Sequence, residues 1–177
     1  PARWPSREPL HQGLWPPCVT TATNPLMPHY SPTLSPALRC CLLSGGASRR
    51  MGRDKALLPH RNRGTWLEHT LLELAQLQAP ITLLSRWPEH WALANSLALP
   101  QLQAIAEPFP WEGPLLALHR LMELYPDHTL LLCPVDMPGL KAEVLTTLLA
   151  AGATAPGQIQ LAHDGRRCQP LLGLYPA

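Results

Sequence analysis

The chain reads as an α/β domain in which helices are layered on a mainly parallel sheet. Three observations carry that expectation. Strand and helix patterns alternate from Arg39 onward, the order that builds parallel sheets with helical crossovers. The segment Thr129 to Cys133 is nearly all apolar, as expected of a parallel strand covered on both faces. A glycine-rich loop directly follows the first apolar stretch, at the sheet edge where such folds bind ligands.

Each element has a local signal. Cys40-Cys41-Leu42-Leu43 reads as a buried strand running into the loop. Thr65-Trp66-Leu67-Glu68 has the form of a capping box, and Leu67, Leu71, Leu74 and Ala75 then keep to one helical face. Ile81 to Ser85 reads as a second strand, about Glu89 to Leu97 as a helix, and Leu102 to Ala106 as a short strand. Gly113-Pro114 opens the next helix, with proline at a tolerated early position and Leu115, Leu118 and Met122 as the expected inner face. After the strand at Thr129 to Cys133, a helix is expected over about Lys141 to Ala150. Gln158 to Ala162 and Cys168 to Leu174 flank the turn residues His163-Asp164-Gly165, which predicts a hairpin.

The 177 residues fit one domain with a proper core. Nine of the 22 prolines fall in residues 1–38, without apolar periodicity. That segment is expected to be disordered: a linker, the tail of a fused domain, or sequence outside the reading frame. The folded domain is expected over residues 39–177. A net charge of +2 with 15% charged residues does not describe a nucleic-acid binder. No apolar run approaches the ~18 residues that cross a membrane, and the start lacks the basic-then-apolar order of a secretory leader. Five cysteines at irregular spacing argue against a disulfide framework or zinc site, and the eight histidines show no metal-ligand spacing, most being expected at the surface. The chain reads as reduced and cytoplasmic.

The most informative stretch is Leu43-Ser44-Gly45-Gly46-Ala47-Ser48-Arg49-Arg50-Met51-Gly52-Arg53-Asp54-Lys55. Glycines let the backbone approach a ligand, and exposed N–H groups in such a turn cradle phosphate oxygens. Three arginines and a lysine within seven positions supply countercharge. A small anionic ligand, above all a nucleotide, fits this better than a polymer. Spacing excludes a Walker A loop, because five residues separate Gly46 from Gly52 and Arg53 follows; the dinucleotide fingerprint G-x-G-x-x-G is absent too. Asp136 stands just past the strand, in Cys133-Pro134-Val135-Asp136-Met137-Pro138. A carboxylate there could hold Mg²⁺ bridging phosphate oxygens, or serve only as a turn or cap residue.

The string G-G-x-S-x-R-M-G-x-D-K after a strand resembles the loop of MobA-type nucleotidyltransferases, the molybdenum cofactor guanylyltransferases and their relatives. C-P-x-D-x-P around Asp136, the acidic residue before Gly113-Pro114-Leu115, and His163-Asp164-Gly165 with Pro170-Leu171 also resemble segments of that family. The resemblance implies a three-layer Rossmann-like nucleotidyltransferase fold. It further implies transfer of GMP from GTP to the phosphate of molybdopterin, with release of pyrophosphate and dependence on Mg²⁺. By the same resemblance Arg50, Lys55 and Asp136 are the catalytic set. Leu43, Ser44, Gly45, Gly46, Lys55, Glu107 and Asp136 meet the nucleotide, and Asp136 holds the metal. Glu107 is one methylene longer than the family's usual aspartate, and an ordinary surface glutamate is the alternative. The late hairpin faces the second substrate in the family, with a plain tight turn as the alternative here.

Guanine is favoured over cytosine because cytidylyltransferase relatives tend to carry alanine in place of the first glycine. The family implies molybdoenzyme maturation proteins as further partners. Family members continue for about 40 residues past the hairpin, so by this resemblance the domain is incomplete at its carboxyl end and is expected to bind GTP better than it turns over. A relative using CTP or a sugar-phosphate acceptor, and a nucleotide-binding module without turnover, are the competing readings.

Overall fold

The computed structural model describes residues 37–46, 53–61 and 64–176; the proline-rich start and residues 47–52, which include Arg50, lie outside them. The elements run β1 Ala37–Leu43, α1 Trp66–Ala75, β2 Ile81–Ser85, α2 Pro88–Ser96, β3 Leu102–Ala106, α3 Pro114–Leu124, β4 His128–Pro134, α4 Ala142–Thr154, β5 Gln160–His163 and β6 Cys168–Tyr175. The strands form one sheet in the order β3-β2-β1-β4-β6-β5. β1, β2, β3 and β4 are parallel; β6 runs antiparallel to β4, and β5 antiparallel to β6. The alternating sequence pattern therefore builds a mainly parallel α/β sheet closed by a hairpin.

Period-two alternation along the central strands divides the core. Cys40, Leu42, Leu131 and Cys133 pack with Leu67, Leu71 and Leu74 of α1 and Leu145 and Leu148 of α4. Their neighbours Cys41, Leu130 and Leu132 face the other way, against Ala117, Leu118 and Leu121 of α3. Three layers result, with α1 and α4 on one face and α3 on the other. The predicted capping box is formed: Glu68 N–H donates to Thr65 Oγ1, and Thr65 N–H donates to the Glu68 carboxylate.

Two expectations need correction. The inner face of α3 is Ala117, Leu118 and Leu121; Leu115 and Met122 are exposed. Two overlapping stripes fit a helical period here, the expected Leu115-Leu118-Met122 and Ala117-Leu118-Leu121. Arg120, bonded to the carbonyls of Pro108 and Pro110, anchors the rotation of the helix and selects the second. α4 also runs on to Thr154, past the expected end near Ala150. No strong breaker stands there, because Gly152 costs only about 1 kcal/mol relative to alanine. Among the described residues, no helix is long and apolar enough to cross a membrane.

Strand order fixes where a ligand can sit. From β1 the chain moves one way to β2 and β3, then returns to place β4 on the other side of β1. Leu43 of β1 is level with Leu84 of β2 and Pro134 of β4. The connections leaving these strands therefore open together at the carboxyl edge, at the topological switch point.

Candidate active site

A cleft of about 500 Å³ lies at that edge. It is lined by every predicted site residue within the described segments: Leu43, Ser44, Gly45, Gly46, Lys55, Glu107 and Asp136. Residues 92 positions apart in sequence, Ser44 and Asp136, thus face one space because β1 and β4 are neighbours. Arg50 falls outside the described residues. His163 ends β5, Asp164 and Gly165 stand in the turn to β6, and none of the three is in the cleft lining, though Leu171 of β6 is. In that turn the Asp164 carboxylate accepts N–H bonds from Arg166 and Arg167. Those bonds hold it below the ordinary carboxylate range.

Lys55 Nζ stands 3.3 Å from Asp136 Oδ2, with both side chains partly open to solvent. The pair joins the glycine-rich segment to the loop after β4 across the mouth of the cleft. That loop is held from behind by α1 and by His60, which precedes that helix. His69 Nε2 lies 3.0 Å from the Leu140 carbonyl and His60 Nε2 2.7 Å from that of Pro138, and the two rings stack at 3.8 Å. Glu73 accepts the Ala142 N–H at the start of α4. These contacts order the backbone that carries Asp136.

Glu107 extends the opposite wall. Its N–H donates to the Ser85 carbonyl, continuing the β2–β3 pairing. Its side chain is only 9% exposed and sits 4.0 Å from Arg120 Nη1. Burial pushes its carboxyl above the ordinary range, opposed by the charges of Arg120 and then Arg86. It is therefore not an ordinary surface glutamate. A Cβ added at Gly45 would overlap Glu107 Oε2, so the glycine is required by a close approach rather than by an unusual backbone angle. Arg86 stacks over Trp87 and Trp111, each at 4.7 Å, and Trp111 Nε1–H donates to the Glu107 carbonyl.

One group had no signal in the sequence. His90, in the first turn of α2, is 1% exposed rather than at the surface. Its Nε2 is 2.7 Å from Asp54 Oδ2, and its Nδ1 is 3.0 Å from Ser44 Oγ and 2.9 Å from Ser85 Oγ. The Ser44 hydroxyl is thus turned inward, leaving its backbone to face the cleft. Nothing in the spacing of the eight histidines sets His90 apart; only the folded proximity of β1, β2 and the Asp54 segment does.

The family model for the MobA-like NTP transferase domain matches residues 40–177. The chain belongs to the MobA-like NTP transferase family. Curated relatives of this MobA-like chain include three named probable molybdenum cofactor guanylyltransferase. The protein from Rhodopirellula baltica is 36% identical over 85% of this chain and 72% of its own length. That from Trichormus variabilis is 32% identical over 78% of the chain and 65% of its own length, and that from Mycobacterium avium 34% over 71% and 62%. The chain thus spans about two thirds of the length of these relatives. Solved structures agree on the fold. Molybdopterin-guanine dinucleotide biosynthesis protein A from Archaeoglobus fulgidus superposes with a TM-score of 0.59 at 24% identity, covering 78% of this chain and 67% of that one. 4-Diphosphocytidyl-2C-methyl-D-erythritol synthase superposes with a TM-score of 0.56 at 16% identity, covering 81% and 76%. The MobA-like domain is therefore a nucleotidyltransferase domain by family, built on the α/β sheet expected from its sequence.

Proposed function

We propose that the protein transfers GMP from GTP to the terminal phosphate of molybdopterin, with or without bound molybdenum, releasing pyrophosphate. The observation that carries this reading is the Lys55–Asp136 pair at 3.3 Å, set opposite Gly45 and Gly46 in one cleft. A cation and a carboxylate side by side suit a triphosphate bound with a divalent ion. The names of the relatives support guanine as the base and the molybdenum cofactor as the acceptor.

The donor set fits Mg²⁺ of a particular kind. Among the described residues no group of three or more His, Cys, Asp or Glu side chains could cage a metal. Mg²⁺ commonly takes one or two carboxylates and completes its shell with phosphate oxygens and water. Asp136, half exposed and partnered by a lysine, offers such a single protein ligand. When bound there, Mg²⁺ would neutralise charge on the phosphates and favour departure of pyrophosphate.

The remaining work falls to the chain. Backbone N–H groups at Gly45 and Gly46 receive phosphate oxygens, which lack of side chains allows. Lys55, together with Arg50, stabilises the charge that builds on the phosphates as an acceptor oxygen attacks the α-phosphorus in line. Glu107, against Gly45, accepts hydrogen bonds from the nucleoside. No covalent intermediate is needed; positioning and fixed charge supply the rate enhancement. Cytoplasmic location and contact with molybdoenzyme maturation proteins belong to this same reading.

The direct test is incorporation of labelled GMP from GTP into molybdopterin by the purified chain with Mg²⁺. Asp136→Asn should abolish transfer. Label incorporated from CTP instead would move the assignment to cytidylyl transfer. Nucleotide binding with no transfer to molybdopterin would point to another acceptor or to a binding module.

A further inference from the structure

We propose that His90 is a positioning residue for the nucleotide-binding segment: through Asp54 it fixes the backbone that carries Lys55 and joins it to the exits of β1 and β2. A fully buried imidazole is an expensive choice where leucine would pack, unless its polar atoms are satisfied. Two of the three partners of this ring, Ser44 and Asp54, line the cleft, and the third, Ser85, stands between Leu84 and Arg86, which also line it. Ser44 directly follows β1, Ser85 ends β2, and Asp54 immediately precedes Lys55.

The hydrogen-bond inventory gives each atom a role. The Asp54 carboxylate accepts from Nε2–H, so in the neutral ring Nδ1 is an acceptor. The Ser85 hydroxyl donates to the Ser44 carbonyl and its oxygen accepts the Trp87 N–H. The Ser44 hydroxyl then donates to Nδ1, and the Ser85 hydroxyl, 2.9 Å from the same nitrogen, shares its proton between Nδ1 and the Ser44 carbonyl. The second Asp54 oxygen, Oδ1, accepts the Ala56 N–H at 2.9 Å, closing a turn over Lys55. Asp54 thus holds the backbone of its own segment with one oxygen and the buried ring with the other.

The consequence lies in the lysine. Lys55 carries a flexible stem whose ordering costs up to about 2 kcal/mol of side-chain entropy. Pinning its backbone confines where the ammonium can reach, and it stands 3.3 Å from Asp136. A segment held this way binds a triphosphate without first paying to order itself. The effect on nucleotide affinity rests on the function proposed above; the ordering of the segment does not.

Two substitutions separate the two sides of the ring. His90→Gln can reach Asp54 from the Nε2 position and gives up Ser44. His90→Asn keeps a polar atom near Nδ1 and gives up Asp54. Hydrogen exchange by mass spectrometry on the ligand-free chain should show the Ala56 amide exchanging about tenfold faster in His90→Asn, with β1 and β2 unchanged and His90→Gln close to wild type. Calorimetric titration with GTP and Mg²⁺ should show about a tenfold loss of affinity in His90→Asn and retention in His90→Gln. Unaltered exchange over residues 53–58 in both variants would overturn the proposal. So would equal loss of protection in β1, β2 and the segment, which would make His90 an ordinary core residue. A wild-type chain that binds no nucleotide would count against the proposed function instead, while exchange at residues 53–58 would still decide the role of His90.

Discussion

Replacing Gly45 with alanine should be costly for one reason, the carboxylate of Glu107. The new Cβ would overlap Glu107 Oε2 and stand 3.3 Å from its Cδ. Gly45 requires no left-handed backbone, so alanine itself is sterically permitted there. Overpacking of this kind typically costs about 1–3 kcal/mol. The obstructing atoms are the end of a flexible side chain, so the lower part of that range applies, about 1–1.5 kcal/mol. Glu107 has little room to yield. Its side chain is 9% exposed, and any shift disturbs its ion pair with Arg120 Nη1 at 4.0 Å. In a Glu107→Ala background the obstacle is gone, and Gly45→Ala should be neutral or stabilising by about 0.5 kcal/mol through the unfolded chain. The coupling between the two positions is therefore about 1–2 kcal/mol. Urea denaturation of wild type, both single variants and the double variant, with m-values compared, measures it. An equal cost of Gly45→Ala in both backgrounds would refute the reasoning.

Further outcomes follow from other contacts. The raised carboxyl of Glu107 means the folded chain binds a proton there more readily than the unfolded one. The stabilisation of wild type relative to Glu107→Gln should therefore be greatest below the ordinary value of 4.5 and fade as pH rises through the raised native value, as urea midpoints across that range would show. Thr65→Ala removes the side-chain cap of α1 and should lower stability by about 1 kcal/mol in the same assay. Burial pushes the thiols of Cys40 and Cys41 up to about 12 and that of Cys133 higher still. All three should resist alkylation at pH 8 in the native protein and react only on unfolding, which peptide mapping after iodoacetamide would show.

The sequence was most readable where local chemistry acts alone. The capping box placed α1, the apolar runs placed β2 and β4, and the His163-Asp164-Gly165 turn placed the hairpin. Motif spacing also assembled most of the cleft, since Gly45, Gly46, Lys55 and Asp136 each stand just beyond a strand or within the glycine-rich segment. Three things were not local. The rotation of α3 is set by Arg120 reaching carbonyls 10 and 12 residues earlier, which no helical period encodes. The burial of His90 depends on three segments that meet only in the folded sheet, one of them 46 residues away in sequence. Glu107 shows the same dependence: its partners Gly45 and Arg120 come from opposite directions along the chain.

The measurement that bears most directly on the central claim is calorimetric titration of the purified chain with GTP and with CTP, each with Mg²⁺, alongside Lys55→Ala. The account predicts that GTP binds, that CTP binds more weakly, and that Lys55→Ala loses about tenfold or more in GTP affinity, the loss of one charge-assisted contact. Failure to bind either nucleotide, or GTP binding indifferent to Lys55, would contradict it.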